Sequence, residues 1–228
     1  VRSLVDNPNG IEVVISGGTM GNVTDIIKSV EITKNKIMTE TNYSENKEGF
    51  TEEVMRNKVI PQTVQSFLNS QGGSLFIGVK DEPTAGEEKI VGLQFDRDHL
   101  ESKNNGPISD DKFQDDLRSE IESSLETNLV STTRLGQLVD YEWWTIDGKM
   151  ILEIIIPSLE NPVFYKNIRK TGRNKGKAIK FGICIEENNK LVVHDERYLD
   201  DFFIREGSHK SLITTFEEFL TYYSEHFK

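Results

Sequence analysis

The constraint that most narrows the fold lies in residues 51–79, where a helical pattern must stop at a glycine pair and hand over at once to an apolar strand. In TEEVMRNKVIPQTVQSFLNS (51–70), Val54, Val59, Val64, Phe67 and Leu68 recur at roughly helical spacing, and Pro61 marks a kink or restart. Gly72-Gly73 then lets the helix end in a left-handed turn. A phosphate-cradling role for these glycines is the competing reading. SLFIGV (74–79) reads as a short buried strand, 80–89 as a polar turn, and IVGL (90–93) as the return strand of a hairpin.

The remaining elements follow the same logic. Phe113, Leu117, Ile121 and Leu125 recur every four residues on a helix over 111–125, with Asp110-Asp111 as its cap. Strands over 138–146 and 150–156 are joined by Asp147-Gly148, a strong two-residue hairpin signal. Further strands fall at 11–16, 178–186, 191–194 and 202–205, while 22–38 is ambiguous between helix and strand and 39–49 is a polar break. Thr215 and Glu218 have the spacing of a capping box before a last helix reaching Phe227. The sum is an α+β fold: a mostly antiparallel sheet with helices packed on it. No second copy of the helix, glycine pair and strand appears, so the domain occurs once.

Charge restricts the partners. The net charge of −11 works against indiscriminate adhesion to nucleic acid, so any such contact must be local. One stretch, KNIRKTGRNKGKAIK (166–180), supplies it. Lys166, Arg169, Lys170, Arg173, Lys175, Lys177 and Lys180 stand there without an acidic residue, and without them the net charge moves from −11 to −18. Such segregation suits a phosphate backbone; a solvated loop is the plainer alternative. Arg205 and Lys210 are further phosphate candidates, with an ion pair from Arg205 to a carboxylate as the alternative.

Other chemistries find little support. The four histidines and the lone Cys184 lack metal-ligand spacing, no Gly-x-Ser-x-Gly elbow is present, and GGTMG (17–21) reads as a turn rather than a P-loop. Trp143 and Trp144 invite a base-stacking reading, but on a strand at least one points into the core. A single cysteine fits a reducing compartment, and with no apolar run of membrane length the expectation is a cytoplasmic protein with no membrane partner. The start at Val1 suggests a processed or excised fragment.

FLNSQGGSLFIGVKDEPTAGEEKIVGL (67–93) resembles the signature of the AlbA_2 domain of Schlafen proteins and many prokaryotic regulators: Phe-x-Asn-x-x-Gly-Gly, a strand ending Ile-Gly-Val-x-Asp, and a Val-Gly-Leu return. FFIREGSHKSL (202–212) resembles the family's Tyr/Phe-x-x-Arg-x-Gly-Ser segment, and Asp147-Gly148-Lys149 with IIIPSLENPVF (154–164) resembles its hairpin and Pro-Val-Phe element. The matches run in order from about 40 to 228, with 1–39 as an N-terminal extension or the end of an upstream segment.

The resemblance implies nucleic-acid binding. In a subset of the family it implies cleavage of tRNA and rRNA by a carboxylate triad that uses a divalent cation, Mg²⁺ or Mn²⁺. The corresponding residues here are Glu40 and Glu45, Lys47 two positions on, and Asp81 after Gly78-Val79. Asn46 stands where the family usually has phenylalanine, and Lys80 where an acidic residue often precedes the Asp81 position, so the triad is complete only if Asp81 is the aligned residue. Five residues do not bring Glu40 to Glu45 on a helix or a strand, so a turn must intervene. The leading expectation is a metal-dependent endoribonuclease on structured RNA, with Glu40, Glu45 and Asp81 on the metal, Lys47 on phosphate, and a homodimer replacing the two related lobes of animal Schlafen cores. The alternatives are a noncatalytic DNA- or RNA-binding module and a protein-interaction domain with an acidic face.

Overall fold

The computed structural model describes residues 12–14, 20–22, 37, 40–130, 135, 138–166, 180–187, 190–198 and 201–227; of 12–14, 20–22, 180–187 and 190–198 the backbone alone is considered. Two short hairpins stand apart from the main sheet. β1 (Glu12–Val14) pairs with β2 (Met20–Asn22), and β9 (Lys180–Glu187) with β10 (Lys190–Tyr198), both antiparallel. The Asn188-Asn189 link and most of 22–38 lie outside the described residues.

The main sheet has four strands: β3 (Ser44–Lys47), β4 (Gly73–Ile77), β6 (Asp140–Ile146) and β7 (Lys149–Ile156), in the order β3-β4-β7-β6. β3 and β4 run parallel and the other neighbours antiparallel. The connection from β3 to β4 contains a π-helical turn, Met55–Val59, running directly into α1 (Ile60–Leu68), with Pro61 in its first turn. Pro61 removes an N–H from this continuous helical run, and the carbonyls one turn back are taken by side chains instead: Asn57 O accepts from Tyr165 Oη at 2.7 Å and Arg56 O from Ser124 Oγ. All nine residues of α1 are buried.

One face of the sheet, with Leu75, Ile77, Leu152, Ile154 and Ile156, packs on Val64, Phe67 and Leu68 of α1 and on Phe113, Leu117, Ile121 and Leu125 of α3 (Asp110–Asn128). The opposite face carries Phe76, Ile146 and Ile151 against Ile37, Val79 and Ile90. A third cluster joins Phe202 and Ile204 of β11 (Phe202–Glu206), Ile213 of β12 (His209–Ile213) and Phe219 of α4 (Phe216–His226). Two-residue strands β5 (Leu129–Val130) and β8 (Phe164–Tyr165) complete the set.

Polar side chains of α1 bind this C-terminal unit to the rest. Gln65 Nε2 donates to the carbonyls of Val163 and Asp201 at 2.7 and 3.0 Å. Asn69 Nδ2 donates to Val163 O and Phe203 O, and Asn69 Oδ1 accepts from Val163 N at 2.8 Å. The asparagine of the Phe-x-Asn-x-x-Gly-Gly pattern thus satisfies buried backbone that no strand partner reaches. Gly72, at φ +73°, turns the chain where an added Cβ would lie 2.7 Å from Ile156 O.

Several expectations need correction. Residues 94–103 form a helix, α2 (Gln94–Lys103), with only Asp96 and Leu100 buried, so its periodicity is too weak to read. β3 lies in the supposed polar break, and β12 pairs with β11 where no strand was expected. The return strand at 90–93 is reduced to one bridge, Val79 to Ile90. Val54 is exposed, lying before the helix proper. Ser109, not the aspartate pair, caps α3, accepting from Lys112 N. The hairpin at Asp147-Gly148 forms as expected, with φ of 51° and 77°, and Thr215 and Glu218 make the full capping box.

Candidate nucleic-acid interface and carboxylate site

The chain reverses between Glu40 and Glu45, which brings the Glu40 carboxyl back to the backbone at Asn46. Thr41 N and Ser44 N each bond across the turn to the other residue's carbonyl, and Asn46 N donates to Glu40 Oε1 at 2.6 Å. Glu45 and Lys47 sit on β3, and the parallel pairing aligns Lys47 with Ile77 at the end of β4. Gly78 N and Val79 N both bond to Lys47 O, at 2.9 and 3.1 Å, which delivers Asp81 to the same corner. Four residues spread over 42 positions therefore converge at the C-terminal ends of two parallel strands.

Lys47 Nζ lies between the carboxylates, 3.0 Å from Glu45 Oε1 and 3.5 Å from Asp81 Oδ2. Lys80 points elsewhere, pairing with Glu48 at 3.3 Å and Glu87 at 3.1 Å, so Asp81 is the residue that joins the cluster. Glu40 is pushed up to about 7, chiefly by burial and also by a hydrogen bond and charge from Asp81, against the opposing bond from Asn46 N and the charge of Lys47. A buried carboxyl facing a second carboxylate marks a place that favours added positive charge.

Glu45 behaves in the opposite sense. Burial raises it, but Lys47 and then Arg205 outweigh burial and leave it below the ordinary carboxylate value. Arg205 Nη1 pairs with Glu45 Oε2 while Nη2 donates to Thr41 O and Ser208 O, both at 3.0 Å. Its guanidinium lies 4.5 Å above the Phe67 ring, and its side chain is 2% exposed. Thr63 Oγ1 donates to Glu45 Oε1 at 3.4 Å. Among the described residues no group of three or more His, Cys, Asp or Glu side chains is arranged to hold a metal ion, and both oxygens of Glu45 are engaged by Lys47 and Arg205.

The phosphate candidates divide. For Arg205 the structure shows the ion-pair alternative, a buried pairing with Glu45. Lys210 lies within the site, largely buried; its Nζ is 3.4 Å from Val59 O and 3.5 Å from Thr63 Oγ1. Burial pulls its ammonium down to about 8, with Glu45 opposing and Lys47, Lys58 and Arg205 adding to the fall. Lys166 Nζ donates to the carbonyls of Glu126 and Thr127, capping the end of α3. Arg169, Lys170, Arg173, Lys175 and Lys177 lie outside the described residues, as does the side chain of Lys180.

Both tryptophans are packed. Trp143 meets Phe113 edge-on at 6.1 Å, and Trp144 Nε1 donates to Glu153 Oε2 at 3.0 Å, so neither is a free stacking surface. Two contributors escaped the sequence reading: Thr63, hidden in a buried helix, and Lys58, which lies near enough to depress Lys210.

A family model described as "Schlafen, AlbA_2" matches residues 40–214. The packing of α4 extends beyond that match, since Tyr222 Oη donates to Asn69 O at 2.7 Å. No curated protein matches the chain. Among solved structures, the DIP2311 protein from Corynebacterium diphtheriae is similar over 94% of this chain and 30% of its own length, at 11% identity and a TM-score of 0.43. The N-terminal domain of an ATP-dependent DNA helicase RecG-related protein from Nitrosomonas europaea is similar over 61% of this chain and 80% of its own, at 19% identity and a TM-score of 0.36. Among the described residues no helix is long and apolar enough to cross a membrane.

Proposed function

This chain belongs to the Schlafen AlbA_2 family, and from that premise we propose that it binds nucleic acid and hydrolyses RNA phosphodiester bonds at Glu40, Glu45, Lys47 and Asp81. The supporting observation is the convergence of those four side chains at the ends of β3 and β4. Structured RNA such as tRNA or rRNA is the proposed substrate, in a cytoplasmic setting.

The donor set suits a hard divalent cation in part. Glu40 and Asp81 offer carboxylate oxygens beside one another, and oxygen ligands are what Mg²⁺ and Mn²⁺ prefer. Glu45 completes the set only when Lys47 gives up its hold on Glu45 Oε1. When bound, such an ion neutralises phosphate charge and lowers the pKa of attacking water. The chain's own residues divide the remaining work. Lys47 presents an ammonium to the substrate phosphate as it leaves the carboxylates. Arg205 fixes Glu45, and Lys210 adds a second, partly desolvated cation beside it. A single domain copy encloses RNA best as a homodimer.

A second reading, binding without cleavage, draws on the ion pairs that engage both oxygens of Glu45. The two separate in one assay: tRNA is incubated with the protein in Mn²⁺, Mg²⁺ or chelator, and binding and chain length are followed together. Cleavage in either metal that stops in chelator supports the nuclease. Binding with intact RNA under every condition supports the second reading and refutes the first.

A further inference from the structure

Beside the carboxylate site lies a cavity of about 600 Å³ whose lining includes Lys47 and Asp81 from the site itself, and Glu52, Lys80, Glu82 and Phe95 beyond it. Phe95 stands in the first turn of α2, is 63% exposed and lines this cavity. The helix is anchored without it. Leu100 is buried, and Asp96 Oδ1 accepts from Phe50 N, Thr51 N and Thr51 Oγ1 at 3.0, 2.8 and 2.8 Å. Gly49, Phe50 and Glu52 line the same cavity, so the Asp96 clamp fixes the Phe95 ring relative to the loop that follows Lys47. The ring and the site are held in one frame.

The charges in the cavity select the occupant. Glu48, Glu52, Asp81, Glu82 and Glu87 outnumber Lys47 and Lys80 along its wall. Lys80 is already held between Glu48 and Glu87, whereas Glu52 and Glu82 are in no ion pair among the described residues. Away from Lys47 such a wall repels phosphate and accepts hydrogen bonds. A neutral aromatic ring with N–H groups along one edge satisfies both conditions, stacking on Phe95 and donating to a carboxylate.

We propose that this cavity seats an unpaired nucleobase next to the phosphate at Lys47, stacked on Phe95 and read along its Watson–Crick edge by Glu52 or Glu82. Guanine is preferred because its N1–H and N2–H₂ donate side by side to one carboxylate, whereas uracil offers one N–H flanked by two acceptors. This inference rests on the RNA reading above and adds a base preference to it.

The test measures binding in chelator, so that cleavage plays no part. Fluorescence anisotropy is recorded with a labelled uridine oligonucleotide and with the same oligonucleotide carrying guanosines. Wild type binds the guanosine oligonucleotide about tenfold more tightly. Phe95→Ala weakens that complex by about tenfold, within the range for loss of one base–aromatic stack, and Phe95→Tyr restores it. The double variant Glu52→Gln, Glu82→Gln loses the preference for guanosine and still binds the uridine oligonucleotide. Because Phe95 is exposed, an unchanged unfolding midpoint confirms that Phe95→Ala is folded. Equal affinity of wild type for both oligonucleotides, or an unaltered Phe95→Ala complex, overturns the pocket. The RNA reading survives that result if Lys47→Met still weakens tRNA binding; wild type that binds neither oligonucleotide nor tRNA overturns both.

Discussion

Replacing Arg205 by methionine removes the cation that ties the C-terminal hairpin to the carboxylate site. The side chain is 2% exposed and its loss leaves Glu45, itself 9% exposed, with Lys47 at 3.0 Å and the Thr63 hydroxyl at 3.4 Å. Breaking a buried ion pair from one side costs about 3–5 kcal/mol. The surviving Lys47 contact argues for the lower end. The lost cation–π contact over Phe67 and the stranded carbonyls of Thr41 and Ser208 push the other way. A loss of about 3–4 kcal/mol is expected. In urea melts followed by circular dichroism, a slope near 3 kcal/mol per molar turns that into a midpoint lower by about 1 M.

The pairing itself is isolated by a double-mutant cycle with Glu45→Gln. The loss of Lys47's partner is common to Glu45→Gln and the double variant and cancels, so the cycle returns the Arg205–Glu45 coupling, about 2 kcal/mol at pH 7. Glu45 titrates below its ordinary value, so its contribution is present above pH 4.5 and fades as the pH falls through the lowered value. The coupling shrinks accordingly in acid. A loss below about 1 kcal/mol for Arg205→Met, or single effects that add in the double variant, refutes the buried pair.

Gly72→Ala places a Cβ 2.7 Å from Ile156 O at a φ of +73°; the left-handed backbone alone costs about 1–3 kcal/mol, and thermal denaturation is expected to drop by about 4–8 °C. An unchanged midpoint contradicts the close approach. Lys210 is held down to about 8, so between that value and about 10.5 the unfolded chain binds the extra proton and this residue makes stability rise with pH. Lys210→Met removes that increment, read as the difference between wild-type and variant urea midpoints from pH 8 to 10; parallel curves contradict it.

The parts of the fold that sequence revealed are those whose apolar residues keep a regular period. Phe113, Leu117, Ile121 and Leu125 announce α3, and Asp147-Gly148 announces the central hairpin. β3 is hidden because its buried residues, Ser44, Glu45 and Asn46, are polar and owe their burial to distant partners such as Arg205 and Thr63. α2 is hidden because one of its two buried positions is an aspartate that binds backbone 45 residues away. For the site, the residue types were legible and their arrangement was not. The turn at 41–44 and the parallel pairing of β3 with β4 bring Glu40, Lys47 and Asp81 together, and neither leaves a spacing signal. Arg205 stayed open between a phosphate contact and an ion pair because nothing local shows that Phe67 and Glu45 enclose it.

Whether this cluster hydrolyses RNA is read from single-turnover cleavage of an end-labelled tRNA in Mn²⁺. Asp81→Asn and Glu40→Gln keep the shape of each side chain while removing the charge that would hold a cation. The expected result is cleavage by wild type and a loss of at least about a hundredfold in each variant, with tRNA binding retained. Cleavage at the wild-type rate by both folded variants would contradict it.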